Sequence, residues 1–352
     1  MYKIVMLSMV VSVFSFLAAE KEPSSKGPKK KKKSVITIAD AKAIAYPEFS
    51  KNISMQHVTI WSDGTRMAAD LYKAKNIKDG DKRPAVIIVN GTGGIKRKLP
   101  TRIAPYFVEK GYVFLSFDFR GWGESDSRLI MSSPMPQPDA NGEVTVKARA
   151  VRWQLDYADQ VEDIRNAISF LSGDSNVDAN RIGLYGTSYG GGLVTWMAAH
   201  DKRVKCIVSQ VPGMGRMRSE GSENAAYGVS IKQTRGETEV IPDKGGRLGP
   251  KTGKYYHMRF NSPKSIGYNV LAHAHKITAP TLIIDAGKDE LLNWRKNGGA
   301  LAEILKKKQE VIVKHEVLPM THYGVYGAKF SETTNLAVSW FDTYLKGNNA
   351  EK

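Results

Sequence analysis

Cysteine, acidic side chains and apolar runs long enough to cross a membrane are scarce in this sequence of 352 residues. The single cysteine, Cys206, excludes an intramolecular disulfide framework and any metal cluster held by cysteines alone. The amino-terminal apolar run, Ile4 to Ala19, has sixteen residues, fewer than the roughly 20 that span a bilayer. Lys and Arg number 52 against 35 Asp and Glu, for a net charge of +17. Taken alone, that excess predicts a nucleic acid, an anionic membrane or an acidic surface as partner.

The amino terminus holds a large share of this positive charge. Residues 1–33 contain eight lysines and two glutamates, which leaves +11 for the rest of the chain. Lys3 precedes the apolar run, and the run ends in the small residues Ala18 and Ala19, a pattern typical of a secretory signal peptide. We therefore expect residues 1–19 to be a signal peptide that exports the protein to the periplasm or the medium. No cysteine follows the run, so a bacterial lipoprotein anchor is excluded.

Residues 20–50 follow as a predicted basic, flexible linker. Lys29 to Lys33 are five consecutive lysines, and two prolines lie just before them. Like charges at that density repel one another, and the segment around them offers little apolar surface to pack. Two interpretations remain open for Lys29–Lys33: electrostatic contact with an anionic envelope or polymer, and a solvated spacer.

Residues 51–350 have the pattern of one α/β domain. Asp63-Gly64 between two alternating segments predicts a β-hairpin. Near-continuous apolar runs predict parallel strands covered on both faces, and amphipathic segments between them predict helices, so the fold class is a mostly parallel, doubly wound sheet. The predicted strands are Ala85–Val89, Tyr112–Phe119, Arg181–Tyr185, Cys206–Val211, Thr281–Ile284 and, as an edge strand, Val311–Leu318. The predicted helices are Thr101–Lys110, Trp153–Leu171, Tyr189–His200, Trp294–Lys307 and Glu332–Leu345.

Two stretches interrupt the alternation. Leu129 to Arg152 contains three prolines and is predicted to be a long loop. Residues 213–275 contain ten glycines and no clear strand, which is far longer than an ordinary connection and predicts a lid or small cap. Because ligands of open α/β sheets bind beyond the carboxyl ends of the strands, we expect this insertion to lie over that edge.

The motif that organises the sequence is Gly186-Thr187-Ser188-Tyr189-Gly190, between a predicted strand and a predicted helix. A G-x-S-x-G pentapeptide is common by chance, but the strand–turn–helix context is that of a sharp turn which exposes a nucleophilic serine. A glycine-rich nucleotide-binding turn would require G-x-G-x-x-G spacing, which this segment lacks. The interpretation predicts Ser188 as the nucleophile.

A serine nucleophile needs a base, and the base needs an acid that orients it. In this type of fold they follow the serine in the order acid, histidine. Asp289 lies in the loop after one predicted strand, and His322 in the loop after the next. Asp285, within the strand, and Glu290 are alternatives to Asp289, which we favour. His315 lies in mid-strand, and His273 and His275 lack an accompanying ligand set, so we treat these as structural.

Acyl transfer also needs backbone donors for the developing oxyanion. We expect one to be the N–H of Tyr189, directly after the nucleophile. The other should come from the loop after the first parallel strand, Asn90-Gly91-Thr92-Gly93-Gly94. Thr92 is the first choice and Gly93 the second, although this segment is also compatible with an ordinary glycine turn.

With these residues in place, the sequence resembles the α/β-hydrolase superfamily from about residue 57 to 346. Besides the two glycine-rich motifs, Asp118 to Ser125 is similar to the D-x-R-G-x-G-x-S turn of that superfamily. The hairpin and the G-T-S-Y-G-G elbow resemble the dienelactone-hydrolase-like and Xaa-Pro dipeptidyl-peptidase-like branches, which implies esterase or peptidase activity without a metal or organic cofactor. Asn90 stands where many members have histidine, and the further β-domain typical of the peptidases has no counterpart here.

We therefore expect a serine hydrolase of carboxylic esters, acting on a small molecule or a polymer. The alternatives are a peptidase or amidase that uses the same residues and a non-catalytic binding protein on a hydrolase scaffold. No nucleic-acid-binding motif accompanies the charge, so nucleic acid is excluded as a partner. The insertion carries side chains that could recognise an acidic substrate or a free amine, namely Arg216, Arg218, Arg235 and Arg247, and Glu220, Glu223, Glu237 and Glu239.

Overall fold

A computed structural model describes residues 37–215, 220–239, 255 and 257–346 of the chain. The strands are β1 (Ile53–Ser62), β2 (Thr65–Ala74), β3 (Arg83–Val89), β4 (Val113–Phe117), β5 (Leu129–Met131), β6 (Ala148–Ala150), β7 (Gln154–Leu155), β8 (Val177–Thr187), β9 (Val204–Gln210), β10 (Arg259–Phe260), β11 (Thr281–Ala286) and β12 (Val313–Leu318). The helices are α1 (Ile38–Lys42), α2 (Leu99–Val108), α3 (Tyr157–Ser172), α4 (Tyr189–His200), α5 (Glu220–Thr234), α6 (Val270–His273), α7 (Gly298–Lys306) and α8 (Phe330–Tyr344).

Eight strands form the central sheet, in the order β1-β2-β4-β3-β8-β9-β11-β12. The hairpin β1–β2 turns at Asp63 and Gly64, both with positive φ, and β2 pairs antiparallel with β4. All other pairings in this sheet are parallel. The predicted α/β-hydrolase fold with a mostly parallel sheet is therefore confirmed, and β12 lies at the edge as its alternating pattern predicted.

The sheet is buried on both faces, which explains why its central strands are apolar at consecutive positions. Ile87 and Leu184 belong to one buried cluster, and their strand neighbours Ile88 and Tyr185 belong to the other. Helices cover each cluster. Because the central strands are parallel, their carboxyl ends lie together at one edge of the sheet. Loops that follow those ends carry the residues predicted to be functional.

Residues 37–50 differ from the predicted flexible linker. Thr37 and Asp40 form a capping box at the start of α1, and Ala41 is fully buried. Phe49 packs edge-on against Tyr72. The segment is therefore part of the folded domain, because it carries enough apolar and aromatic surface to pack on the sheet, whereas the signal-peptide segment and the five lysines lie outside the described residues.

The two irregular stretches also contain regular structure. Within the predicted loop Leu129–Arg152, β5 and β6 pair as an antiparallel hairpin. Within the insertion 213–275, the described residues form α5, α6 and a short strand, β10, that pairs with β7. Trp294–Lys307, predicted as one helix, begins with a separate 3₁₀ turn before α7. These elements are short or glycine-rich, and their side-chain periodicity is too weak to read from sequence.

Candidate active site

Ser188 lies on a strained turn between β8 and α4. Its φ of 54° and ψ of −118° are rare for a residue with a side chain and match a nucleophile elbow. A Cβ atom at Gly186 would overlap the carbonyl of Gly190, and one at Gly190 would overlap the carbonyl of Val89. Both glycines are therefore required by the close approach of helix and strands, and the turn presents the Ser188 hydroxyl at the carboxyl edge.

His322 connects Ser188 to Asp289. The Nε2 atom of His322 lies 3.0 Å from Oγ of Ser188, and Nδ1 lies 2.7 Å from Oδ2 of Asp289. An ionised carboxylate only accepts hydrogen bonds, so Nδ1 carries the proton and Nε2 is left as an acceptor for the serine hydroxyl. The side chains of His322 and Asp289 are both 2% exposed, which keeps this chain of hydrogen bonds away from competing water.

Backbone hydrogen bonds hold the two loops together. Oδ1 of Asp289 accepts from the N–H groups of Leu291 and Leu292, at 2.8 and 2.7 Å. The N–H of His322 donates to Oε2 of Glu290 at 2.8 Å. Glu290, a lesser candidate for the triad acid, therefore contacts the backbone of His322 rather than its ring. The two N–H groups fix the orientation of the Asp289 carboxylate through Oδ1, and in this orientation Oδ2 points at the imidazole.

Asp285, the other alternative acid, is paired elsewhere. Its Oδ2 lies 2.8 Å from Nε2 of His315, and the Asp285 carboxylate is buried against Gly298 at the start of α7. Burial raises the pKa of the Asp285 carboxyl, against the opposing effect of His315. The structure thus separates the two candidates by contact: Asp289 reaches His322, and Asp285 supports β11, β12 and α7.

The loop Asn90–Gly94 lies directly beside the nucleophile. A Cβ atom at Gly91 would stand 3.1 Å from Cβ of Ser188 and 3.7 Å from its Oγ. The loop turns at Gly94, whose N–H donates to the carbonyl of Gly91, and Gly93 has a φ of +70°. Thr92, the predicted second oxyanion donor, is half-buried in this turn. Gly91 is not among the predicted donors, Thr92 and Gly93, but its lack of a side chain allows the loop to approach Ser188 this closely.

Residues of the insertion cover this loop. A Cβ atom at Gly93 would lie 3.5 Å from the Tyr255 ring and 3.6 Å from Sδ of Met258. At the other end of the insertion, Gly213 donates its N–H to the carbonyl of Ser188 at 2.9 Å. The described part of residues 213–275 is therefore in contact with both predicted halves of the site, while its action as a lid stays a prediction.

Tyr326 is a neighbour of the site that sequence analysis did not identify. Its hydroxyl lies 2.7 Å from Oγ1 of Thr187, the residue before the nucleophile. Burial raises the pKa of Tyr326 above its ordinary value, so the hydroxyl stays protonated. In the sequence, Tyr326 is marked only by its position four residues after His322, which does not predict a contact with Thr187.

Two acidic residues of the insertion form ion pairs with arginines. Glu237 forms an ion pair with Arg235, and Glu239 lies 3.2 Å from Arg149 of β6. Glu223, on α5, is half-buried. Arg216, Arg218 and Arg247 and the side chain of Glu220 lie outside the described residues.

His273 is bonded to another histidine rather than to a metal-ligand set. Its Nδ1 lies 2.7 Å from Nε2 of His200, and both rings stack on Trp196. In the described residues, no group of three or more histidine, cysteine or carboxylate side chains could hold a metal ion. Over the same residues, no helix is both long and apolar enough to cross a membrane.

Comparison with known proteins places this geometry in a family. The chain is 30% identical over 289 residues to an uncharacterised 31.7 kDa Escherichia coli protein from the traX-finO intergenic region, covering 75% of this chain and 92% of the relative. It is 34% identical over 129 residues to the quorum-quenching protein AidA of Acinetobacter baumannii, covering 37% and 35% of the two chains. The fold is similar to that of Est1E from Butyrivibrio proteoclasticus, solved with ferulic acid bound, at a TM-score of 0.58, 19% identity and coverage of 82% and 99%.

The family model for the alpha/beta hydrolase fold matches residues 84–266. That range begins in β3, contains the Asn90–Gly94 loop and the elbow at Ser188, and ends in the insertion. The chain belongs to the alpha/beta hydrolase family.

Proposed function

We propose that the protein is an exported serine hydrolase that cleaves carboxylic esters through an acyl-enzyme. The observation that carries the proposal is the continuous hydrogen-bond chain from Ser188 through His322 to Asp289. Its order, burial and position at the carboxyl edge are those that serine hydrolases use. The similar fold of Est1E, which was solved with ferulic acid bound, is consistent with this proposal but does not carry it.

In the proposed acylation step, Oγ of Ser188 attacks the ester carbonyl while Nε2 of His322 takes the hydroxyl proton. Asp289 stabilises the imidazolium through Nδ1–H and keeps the ring oriented. The carbonyl oxygen becomes an oxyanion, to which the N–H groups of Tyr189 and Thr92 donate hydrogen bonds. When the tetrahedral intermediate collapses, the alcohol leaves with the proton from His322, and the acyl group remains on Ser188.

Deacylation repeats the same steps with water in place of the serine. His322 takes a proton from the water, the hydroxide attacks the acyl carbonyl, and Ser188 leaves with the proton returned by His322. The products are the free acid and the regenerated enzyme. The chain needs no metal or organic cofactor for this sequence of steps.

Covalent labelling tests the proposal directly. We expect a fluorophosphonate probe to label the wild-type protein and not Ser188→Ala, with Ser331→Ala, an exposed serine on α8, as the matched control. Unlabelled wild type, or equal labelling of Ser188→Ala, would contradict a nucleophilic role and favour a non-catalytic binding protein.

Paired substrates separate ester from amide hydrolysis. We expect p-nitrophenyl esters to be cleaved with a higher kcat/KM than the corresponding p-nitroanilides. The pairing of Glu237 and Glu239 with arginines supports this choice, because a peptidase that recognises a free amino terminus needs an available carboxylate. A preference for the anilides would replace the esterase by a peptidase or amidase.

Export and the role of Lys29–Lys33 are tested on the full chain. We expect a mature amino terminus after Ala19 and protein in the periplasm or medium. A cytoplasmic protein that retains residues 1–19 would contradict export. Substitution of all five lysines by glutamine should weaken retention on an anionic polymer if the segment is a tether, and leave it unchanged if it is a spacer.

A further inference from the structure

Lys96 is a buried lysine that has no part in the triad, although it lies two residues after the loop beside Ser188. Lys96 is 2% exposed, which is rare for a lysine. Its ammonium group donates to Oδ1 of Asp70 at 3.0 Å and to the hydroxyl of Tyr46 at 2.8 Å, and lies 3.2 Å from Oε1 of Glu124. These three oxygens match the three N–H donors of an ammonium group, so the charge is fully paired.

The backbone of Lys96 is held as firmly as its side chain. Its N–H donates to Oδ1 of Asp118 at 2.7 Å, and Oδ2 of the same buried carboxylate accepts the N–H of Glu124 at 2.9 Å. A Cβ atom at Gly123 would overlap this carboxylate, so the turn requires glycine there. The D-x-R-G-x-G-x-S turn therefore binds the chain segment that follows Gly94, through the Asp118 carboxylate.

A buried ionic cluster of this kind is a poor source of stability. Desolvation of the ions offsets most of their mutual attraction, and well-packed apolar replacements are often as stable. The cluster does fix a position, because it joins four chain segments: residues 44–46, β2, the end of β4 and the turn at Glu124. Arg97 adds a hydrogen bond to the carbonyl of Ile44 at 3.2 Å and an ion pair to Glu124.

We infer that Lys96 is a positioning residue that holds the oxyanion loop Asn90–Gly94 against Ser188. The inference rests on the proposed function for its catalytic consequence. Only Ile95, fully buried, separates Gly94 from Lys96, so the loop is fixed at one end by β3 and at the other by the ionic cluster. Tyr46, from a segment assigned to a linker on sequence grounds, belongs to this cluster.

The test combines Lys96→Met/Asp70→Asn with a control. The double variant removes the Lys96 ammonium and the Asp70 carboxylate together, so neither is left as an unpaired buried charge, and Glu124 keeps its ion pair with Arg97. The control is Lys73→Met, which breaks a partly buried lysine pair with Asp174 at 2.7 Å. Asp174 lies beside Asn176, whose carbonyl accepts the N–H of Arg83 at the amino end of β3, the end opposite the oxyanion loop.

Two readouts separate positioning from general stability. We expect faster amide hydrogen exchange in a peptide spanning residues 90–95 of the double variant, and no change there in Lys73→Met. We also expect kcat for a p-nitrophenyl ester to fall about 10- to 100-fold with KM within about twofold, the range for a misplaced oxyanion donor. Affinity for a trifluoromethyl ketone, which forms a tetrahedral adduct, should fall in proportion to kcat.

Milder variants keep the inference falsifiable if the double variant does not fold. Tyr46→Phe removes one acceptor of Lys96, and Glu124→Gln retains the acceptor oxygen but removes the charge. Each should accelerate exchange at residues 90–95 and lower kcat severalfold. Unchanged exchange in all folded variants would overturn the inference while leaving the esterase proposal intact. Unlabelled wild type with accelerated exchange would overturn the esterase proposal and leave the anchoring role standing.

Discussion

Strands β11 and β12 contribute to two carboxylate–imidazole pairs that look alike in isolation. Asp285–His315 lies within the strands at 2.8 Å, and Asp289–His322 lies in the loops that follow them at 2.7 Å. All four side chains are largely buried. The two pairs differ in the partner of the imidazole Nε2 atom. Nε2 of His322 contacts Oγ of Ser188, whereas Nε2 of His315 contacts Asp285 itself. A pair becomes a candidate for catalysis through its place at the carboxyl edge and not through its composition.

The largest expected effect separates the two histidines. His322→Gln should lower kcat on the order of 10⁶-fold, since the serine loses its base. His315→Gln should stay within about threefold, because its ring does not contact the nucleophile. Hydrolysis of p-nitrophenyl acetate by the folded variants measures both. A loss in His315→Gln equal to that in His322→Gln would remove the distinction between the pairs.

The acids should separate in the same way, with a somewhat smaller effect. Asp289→Asn should lower kcat on the order of 10⁴-fold, because the amide favours the wrong imidazole tautomer. Asp285→Asn should lower the free energy of unfolding by roughly 1–3 kcal/mol and leave kcat within about tenfold. Ester hydrolysis and urea unfolding of the two variants measure these effects. If Asp285→Asn lost activity and Asp289→Asn lost only stability, Asp285 would be the triad acid.

Glu290 tests how much of the functional pair depends on its loop. Glu290→Ala leaves the N–H of His322 without its acceptor and should lower kcat roughly 3- to 10-fold through a less well-placed ring. Glu290→Gln keeps an acceptor oxygen and should retain most of the activity. If Gln and Ala lower kcat equally, the charge of Glu290 matters and not its contact with the backbone.

The smallest effect concerns the pH dependence of stability. Because burial raises the pKa of Asp285, the folded protein holds that proton more tightly than the unfolded chain. The resulting stabilisation is complete below the ordinary carboxyl pKa, about 4, and is lost as the pH rises through the raised value. The unfolding free energy of the wild type relative to Asp285→Asn should therefore decline as the pH rises above about 4. A difference that stays constant across this range would contradict the raised pKa.

Sequence alone predicted the parts of the molecule that obey simple local rules. Tyr189–His200 was predicted with the observed bounds, because a glycine elbow begins the helix and an apolar helix follows. Ser188, Asp289 and His322 were chosen from strand ends, and parallel strands bring their carboxyl ends to one edge whatever the detailed packing. Asp289 contacts His322, whereas Asp285 contacts His315, because a side chain within a strand faces the neighbouring strand.

The missed features depend on contacts between distant segments. Residues 37–50 carry few local signals beyond the start of α1, and they are ordered because Tyr46 and Phe49 find partners on β2. Lys96 looks like a surface lysine in sequence, and only Asp70 and Glu124, each more than 25 residues away, explain its burial. The β5–β6 hairpin is a two-stranded unit of three residues each, too short to produce a periodic pattern.

The contact of Gly190 with the carbonyl of Val89 has a kinetic consequence. Val89 is the last residue of β3, and Asn90 starts the loop proposed to hold the oxyanion, so the helix that begins after Ser188 rests on the strand that ends at this loop. The turn that carries Ser188 and the start of the Asn90–Gly94 loop are thereby packed directly against each other. The bond-forming step would require no closing motion between them, and any dependence of turnover on solvent viscosity would report the passage of substrate and product beneath the insertion.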